Sequence, residues 1–229
     1  MKNSQDPASM RAPDDMGKIA IRRAGPEDAR FLARVMLMSG RAHVQRGIWE
    51  VVLGGPERDV LNFLQRVTVT GPEHLFHYSC FLVAEADGMP VAGLGGYDPA
   101  ARGYEKLREA VESVRKNMGM GPQGPEAAGR TGRVLSCLPK EVEGAWVIDS
   151  VATLPDHRRK GILEKLLAAI MDEGRKKGHP VVQVNIYIGN LPAQRAYEKM
   201  GFSVEETRRC RSFMDEIGSP GMMSLTARL

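Results

Sequence analysis

The chain has 229 residues with 42% hydrophobic, 26% charged and 6% aromatic content, the profile of one ordinary water-soluble globular domain rather than a disordered, fibrous or disulfide-stapled chain. At this length a hydrophobic core forms without a metal or disulfides. Thirty-two Lys and Arg against 28 Asp and Glu leave a net charge of +4, too small to imply a nucleic-acid partner unless it is concentrated on one face.

The opening segment, 1–17, is polar and has no hydrophobic run, so it reads as a disordered lead or a cloning remnant rather than a signal peptide. Met10 and Met16 are alternative starts. Residues 18–23 alternate apolar and polar as a strand, and Gly25-Pro26-Glu27-Asp28 opens a helix. That helix carries Phe31, Leu32, Val35, Met36 and Met38 on one side and runs to about Gly40. A second helix starts at Pro56-Glu57-Arg58. Residues 80–86 and 90–97 form an antiparallel pair around Asp87-Gly88, a hairpin signal. Helical spacing of Tyr104, Leu107, Val111, Val114 and Met118 predicts a helix, and the Gly/Pro-rich stretch 119–132 predicts a mobile loop. The span 100–140 therefore reads as an insertion.

Residues 145–154 form a nearly continuous apolar strand. A helix follows, with Ile162, Leu163, Leu166, Leu167, Ile170 and Met171 in one stripe and Gly178 as its C-cap signal. Then come a strand at 180–188, a short helix at 190–200, a strand at 202–209 and a closing strand at 222–228. No run reaches the roughly 18 apolar residues that span a bilayer.

The junction Leu154-Pro155-Asp156-His157-Arg158-Arg159-Lys160-Gly161-Ile162 carries the chemistry. A glycine at a helix start lets a ligand approach the backbone. There the unpaired first-turn N–H groups and the positive dipole end attract an anion. Arg158, Arg159 and Lys160 add charge-assisted contacts suited to a pyrophosphate.

Together with Asn190, Ala193, Tyr197, Gly201 and Phe202, this junction resembles the signature of the GNAT family of acyl-CoA-dependent N-acyltransferases. That signature reads Arg/Gln-x-x-Gly-x-Gly/Ala after a strand, then Asn-x-x-Ala-x-x-x-Tyr-x-x-x-Gly-Phe. The resemblance extends over 18–229 in element order, with its specific motifs in 146–202. Leu163 departs from the pattern, standing where the family has Gly or Ala, either crowding the phosphate site or rotating into the core. The resemblance implies an α/β (α+β) fold with a mixed, mostly antiparallel sheet of six to seven strands flanked by helices, forming a single domain over 18–229. It implies transfer of an acetyl group from acetyl-CoA to a primary amine by direct attack, without an acyl-enzyme, in a cytoplasmic enzyme without a metal.

In that scheme Val151, Ala152 and Thr153 face the pantetheine arm. Arg158, Arg159, Lys160, Gly161 and Ile162 hold the phosphates, with Asn190, Ala193 and Tyr197 completing the coenzyme site. Tyr197 protonates the departing thiolate, and Asp149, a carboxylate in an apolar strand, takes the amine's proton. Alternation places Asp149 on one face with Val147 and Val151. The competing reading of Tyr197 is a buried tyrosine packed under its helix.

Other features read as structural. His74, His77 and Cys80 lack a fourth ligand at suitable spacing, and the histidines read as loop or surface residues. Gly93-Leu94-Gly95-Gly96 precedes no helix, which argues against a dinucleotide loop. Arg208-Arg209-Cys210-Arg211 reads as a solvated strand end rather than a nucleic-acid contact. Three cysteines at wide spacing form no disulfide framework and point to a reducing compartment, with Cys137 in an exposed loop. The acceptor stays open among a small amine, a protein N-terminus and a lysine, as does a non-catalytic acyl-CoA sensor. The role of 100–140 stays open between covering the acceptor side and mediating a homodimer.

Overall fold

The computed structural model describes residues 19–229; the lead at 1–17, with Met10 and Met16, and Lys18 of the first expected strand lie outside them. In chain order the elements are β1 (Ile19–Arg23), α1 (Ala29–Arg41), α2 (Ile48–Leu53), α3 (Glu57–Val67), β2 (Phe81–Ala86) and β3 (Met89–Tyr97). Next come α4 (Pro99–Arg102), α5 (Tyr104–Asn117), α6 (Pro125–Leu135), β4 (Ala145–Thr153) and α7 (Ile162–Lys176). The chain closes with β5 (Val181–Tyr187), α8 (Leu191–Lys199), β6 (Ser203–Arg209), α9 (Arg211–Ile217) and β7 (Gly221–Arg228).

The strands make one seven-stranded sheet in the order β1-β2-β3-β4-β5-β7-β6. Every pairing is antiparallel except β4 with β5, which α7 connects as a crossover helix. The β2–β3 hairpin turns through Asp87 (φ 51°) and Gly88 (φ 75°), the positive pair that a two-residue hairpin matching the strand twist requires.

Each face of the sheet buries its own apolar set. Phe81, Val83, Tyr97, Ala145 and Val147 meet α1, α3 and α5 on one side. Leu82, Ala84, Leu94, Trp146, Ile148, Val182 and Val184 meet α7 and α8 on the other. Trp146 sits between two bare backbone positions, Gly96 of β3 and Gly174 of α7. A Cβ at Gly96 would stand 2.8 Å from the indole Nε1, and one at Gly174 would stand 2.7 Å from Cγ.

Three expectations need correction. The mobile loop over 119–132 is short, because Pro125 opens α6, where proline's fixed φ suits the first helical position. The small helices α2 and α9 were not expected; each has only six or seven residues, too few for a periodic stripe to stand out. Cys137 is fully buried rather than exposed and forms a disulfide with Cys210, their Cα atoms 6.0 Å apart across 73 residues of sequence. The contact exists because α6 packs on α9, a pairing that sequence spacing does not reveal.

Candidate active site

The parallel pairing of β4 and β5 ends at Ile148 and Val184. Beyond it, β4 remains paired with β3 as far as Thr153, so its β5-facing edge has no strand partner. A cleft of about 530 Å³ opens there, lined by the second half of β4, the start of α7, the end of β5, α8 and the end of α1.

A bulge governs this half of β4. Leu94 is opposed by both Ser150 and Val151, and Ser150 takes a positive φ of 51°. The extra residue reverses the alternation. Val151 therefore joins the α7-side core, opposite the face of Asp149 and Val147, which corrects the expectation that all three share a face. Asp149 is half-buried and stands across from Gly95, and its Oδ1 accepts a 2.9 Å hydrogen bond from Ser150 Oγ. Burial raises its carboxyl above the usual range, and the Ser150 bond partly offsets that.

At the start of α7, Gly161 adopts φ 70° and no side chain caps the helix, so the first-turn N–H groups face the cleft open. Arg159 is left-handed as well (φ 59°) and lines the cleft. Arg158 also lines it, but its Nε donates to the Thr153 carbonyl at 3.1 Å, bracing the turn against β4. Lys160 is exposed and does not line the cleft. Ile162 is buried in the core. Leu163 does both things considered for it, packing on the α7-side core and lining the cleft.

Helix α8 brings the second motif to the same cleft. Asn190 caps it, its Oδ1 accepting from the Ala193 amide at 3.4 Å. Tyr197 is 3% exposed, lies edge-on to Phe202 with ring centroids 5.5 Å apart, and lines the cleft. Burial pushes its phenol well above the usual range, which keeps it protonated at neutral pH. Burial and a cleft-facing position hold together here.

Sequence reasoning missed the opposite wall. Met38, Ser39 and His43 from the end of α1 line the cleft, with Asn185 and Tyr187 of β5. Tyr187 Oη donates to the Gly40 carbonyl at 2.7 Å and accepts from the Ile48 amide at 3.3 Å, fastening β5 to the α1–α2 turn. Gln183 Nε2 donates to Oδ1 of Asn185, which lines the cleft, at 3.3 Å. None of these residues belongs to a local motif. Their role arises from contacts as long as 147 residues.

The two histidines expected in a loop or at the surface do lie in the loop after α3, but they are internal. His74 is fully buried, its Nδ1 accepting from the Phe76 amide at 3.1 Å and its Nε2 3.1 Å from the Val67 carbonyl, and burial pushes its pKa to about 4. His77 is 6% exposed. They are covered because the loop packs Leu75 and Phe76 into the core shared with α1 and α3. Among the described residues no group of His, Cys, Asp and Glu could hold a metal ion, and no helix is long and apolar enough to cross a membrane.

The family model described as acetyltransferase (GNAT) family matches residues 57–202. No curated protein matches the chain. Among solved structures, the chain is similar to an acetyltransferase at 20% identity and TM-score 0.67, covering 91% of this chain and 98% of that one. An N-acetyltransferase from Staphylococcus aureus Mu50 is similar at 20% identity and TM-score 0.66, with 91% and 100% covered. SsHAT is similar at 16% identity and TM-score 0.62, with 92% and 98% covered. At these identities the likeness is one of fold.

Proposed function

The chain belongs to the acetyltransferase (GNAT) family, whose members are acyl-CoA-dependent N-acetyltransferases, and on that premise we propose that it moves an acetyl group from acetyl-CoA to a primary amine in the cleft between β4 and β5. The observation that carries this is the unpartnered edge of β4, which runs directly to the open N-terminus of α7 inside one cleft that also holds Asp149 and Tyr197. That geometry fits an extended arm ending in a pyrophosphate. We read residues 19–229 as one catalytic domain, with α5 and α6 inserted between β3 and β4.

The backbone of Val151, Ala152 and Thr153 holds the arm and polarises the thioester carbonyl. The Gly161 and Ile162 amides, with Arg158 and Arg159, take the phosphates, and Lys160 contributes charge from outside the cleft. Asn190 and Ala193 hold α8 against the arm.

Asp149, with its raised pKa, accepts the proton of the incoming ammonium. The freed amine forms the new C–N bond as the C–S bond breaks. Tyr197, protonated at neutral pH, donates its proton to the departing thiolate, and the second proton shed by the acylated nitrogen restores the phenol through water. Every residue with a role touches the cleft except Lys160, and in this reading the amine attacks the thioester directly. Thiol release from acetyl-CoA, measured over small amines, lysine-bearing peptides and peptide N-termini, tests the reading. Turnover with at least one amine is expected; tight coenzyme binding without turnover on any of them overturns it in favour of a sensor.

A further inference from the structure

The first turn of α7 carries a carboxylate close to its cations. Glu164 is the third residue of that helix and lines the cleft with Arg158, Arg159, Gly161 and Leu163. An acid is favoured there for a local reason, because the positive end of the helix dipole attracts it. Two partners hold the carboxylate. One is the amide of Glu164 itself, and the other is Lys199 at the end of α8, whose Nζ donates to Oε1 at 3.1 Å. The amide, and after it the Lys199 ammonium, keeps the carboxyl below the usual carboxylate range, so Glu164 is ionised at neutral pH.

That position matters because the same turn is the one read as taking the pyrophosphate. A diphosphate seated on the start of α7 meets a fixed negative charge in its own binding turn, and like charges a few ångströms apart repel even in water. Of the two arginines lining the cleft, Arg158 already spends its Nε on the Thr153 carbonyl at 3.1 Å. The carboxylate, however, has somewhere to go. Its side chain is 36% exposed and that of Lys199 is 71% exposed, so the pair sits on the rim and pivots without unpacking the core. An exposed ion pair of this kind adds little to stability, and moving it costs the fold little. Because Lys199 already reaches Oε1, displacement of the carboxylate gives up the amide contact alone.

We propose that Glu164 sets the affinity for the coenzyme: its carboxylate holds a place at the start of α7 that the pyrophosphate takes over, and Lys199 receives the displaced charge. The inference rests on the reading that the pyrophosphate meets this helix start. It makes the cleft bind its coenzyme more loosely than the cations and amides alone would allow, which favours exchange of spent coenzyme for fresh.

Calorimetric titration of acetyl-CoA into the full chain and its variants tests this. Glu164→Gln removes the charge and keeps the shape, and it is expected to bind about fivefold tighter at low salt, with the gain shrinking as added salt screens the charges. Lys199→Met leaves the carboxylate without its counter-ion and is expected to weaken binding about threefold. The double variant is expected to match Glu164→Gln within about twofold, because Lys199 acts through Glu164. Binding by Glu164→Gln no tighter than wild type overturns the inference. So does a Lys199→Met loss that persists at full size in the double variant, which means that Lys199 holds phosphate by itself. Gly161→Asp separates the two ways of failing. If it weakens binding while Glu164→Gln gains nothing, the phosphate site stands and Glu164 alone loses its role. If wild type binds no acetyl-CoA, or Gly161→Asp binds it as wild type does, the phosphate reading falls and takes this inference with it.

Discussion

Ser150 Oγ donates a 2.9 Å hydrogen bond to Oδ1 of Asp149, the residue before it in sequence. The bond exists because the positive φ of Ser150 turns its side chain back at the bulge. Its effect on Asp149 opposes that of burial: burial favours the neutral acid, and the hydroxyl favours the carboxylate. In its proposed role as base Asp149 acts only when ionised, so the rate is expected to fall as pH drops through its raised pKa. Removing the hydroxyl with Ser150→Ala raises that pKa further and moves the acidic limb of the kcat/KM profile to higher pH. Asp149→Asn abolishes the limb and lowers kcat/KM by about 10²- to 10³-fold. An acidic limb unchanged in both variants assigns the base to another group.

Tyr197→Phe removes the phenol proton and keeps the ring against Phe202. It is expected to lower kcat about 10²-fold while the dissociation constant for acetyl-CoA, measured by calorimetry, stays within about twofold. Equal losses in binding and turnover would mark Tyr197 as a packing residue.

At Gly161 two substitutions separate charge from backbone conformation. Both Asp and Asn tolerate the left-handed region better than other residues do, and a Cβ there meets nothing within 4 Å. Gly161→Asp sets a carboxylate against the pyrophosphate and is expected to weaken acetyl-CoA binding about tenfold or more, equivalent to about 1.4 kcal/mol. Gly161→Asn is expected to stay near wild type. Calorimetric titration of both reads the difference, and equal affinities would place the phosphates elsewhere.

Gly174→Ala pushes a methyl group into the Trp146 ring at a contact that neither the helix nor the sheet relaxes easily. A loss of about 1–3 kcal/mol is expected in urea unfolding, with an unchanged slope. Gly132→Ala, in α6 with open space around it, is the control and is expected to gain about 0.5–1 kcal/mol. A Gly174→Ala chain as stable as wild type would show that the indole shifts freely.

Elements whose signals lie within a few residues were legible in the chain. The hairpin at Asp87-Gly88, the stripe of α7, the glycine at its start and the Asn190 cap all follow from periodicity, φ preference or a side chain bonding its own helix. These local rules place the junction at 158–162 and the α8 motif without reference to distant residues. The rest depends on packing between segments far apart in sequence. The bulge that turns Val151 away from Asp149 is set by the β3 register. The wall built by Met38, His43 and Tyr187 depends on a hydrogen bond spanning 147 residues. The Cys137–Cys210 link and the Glu164–Lys199 pair arise where helices from separate parts of the chain meet. Local propensity acts along the backbone, whereas burial and cleft shape depend on which surfaces come to exclude water together.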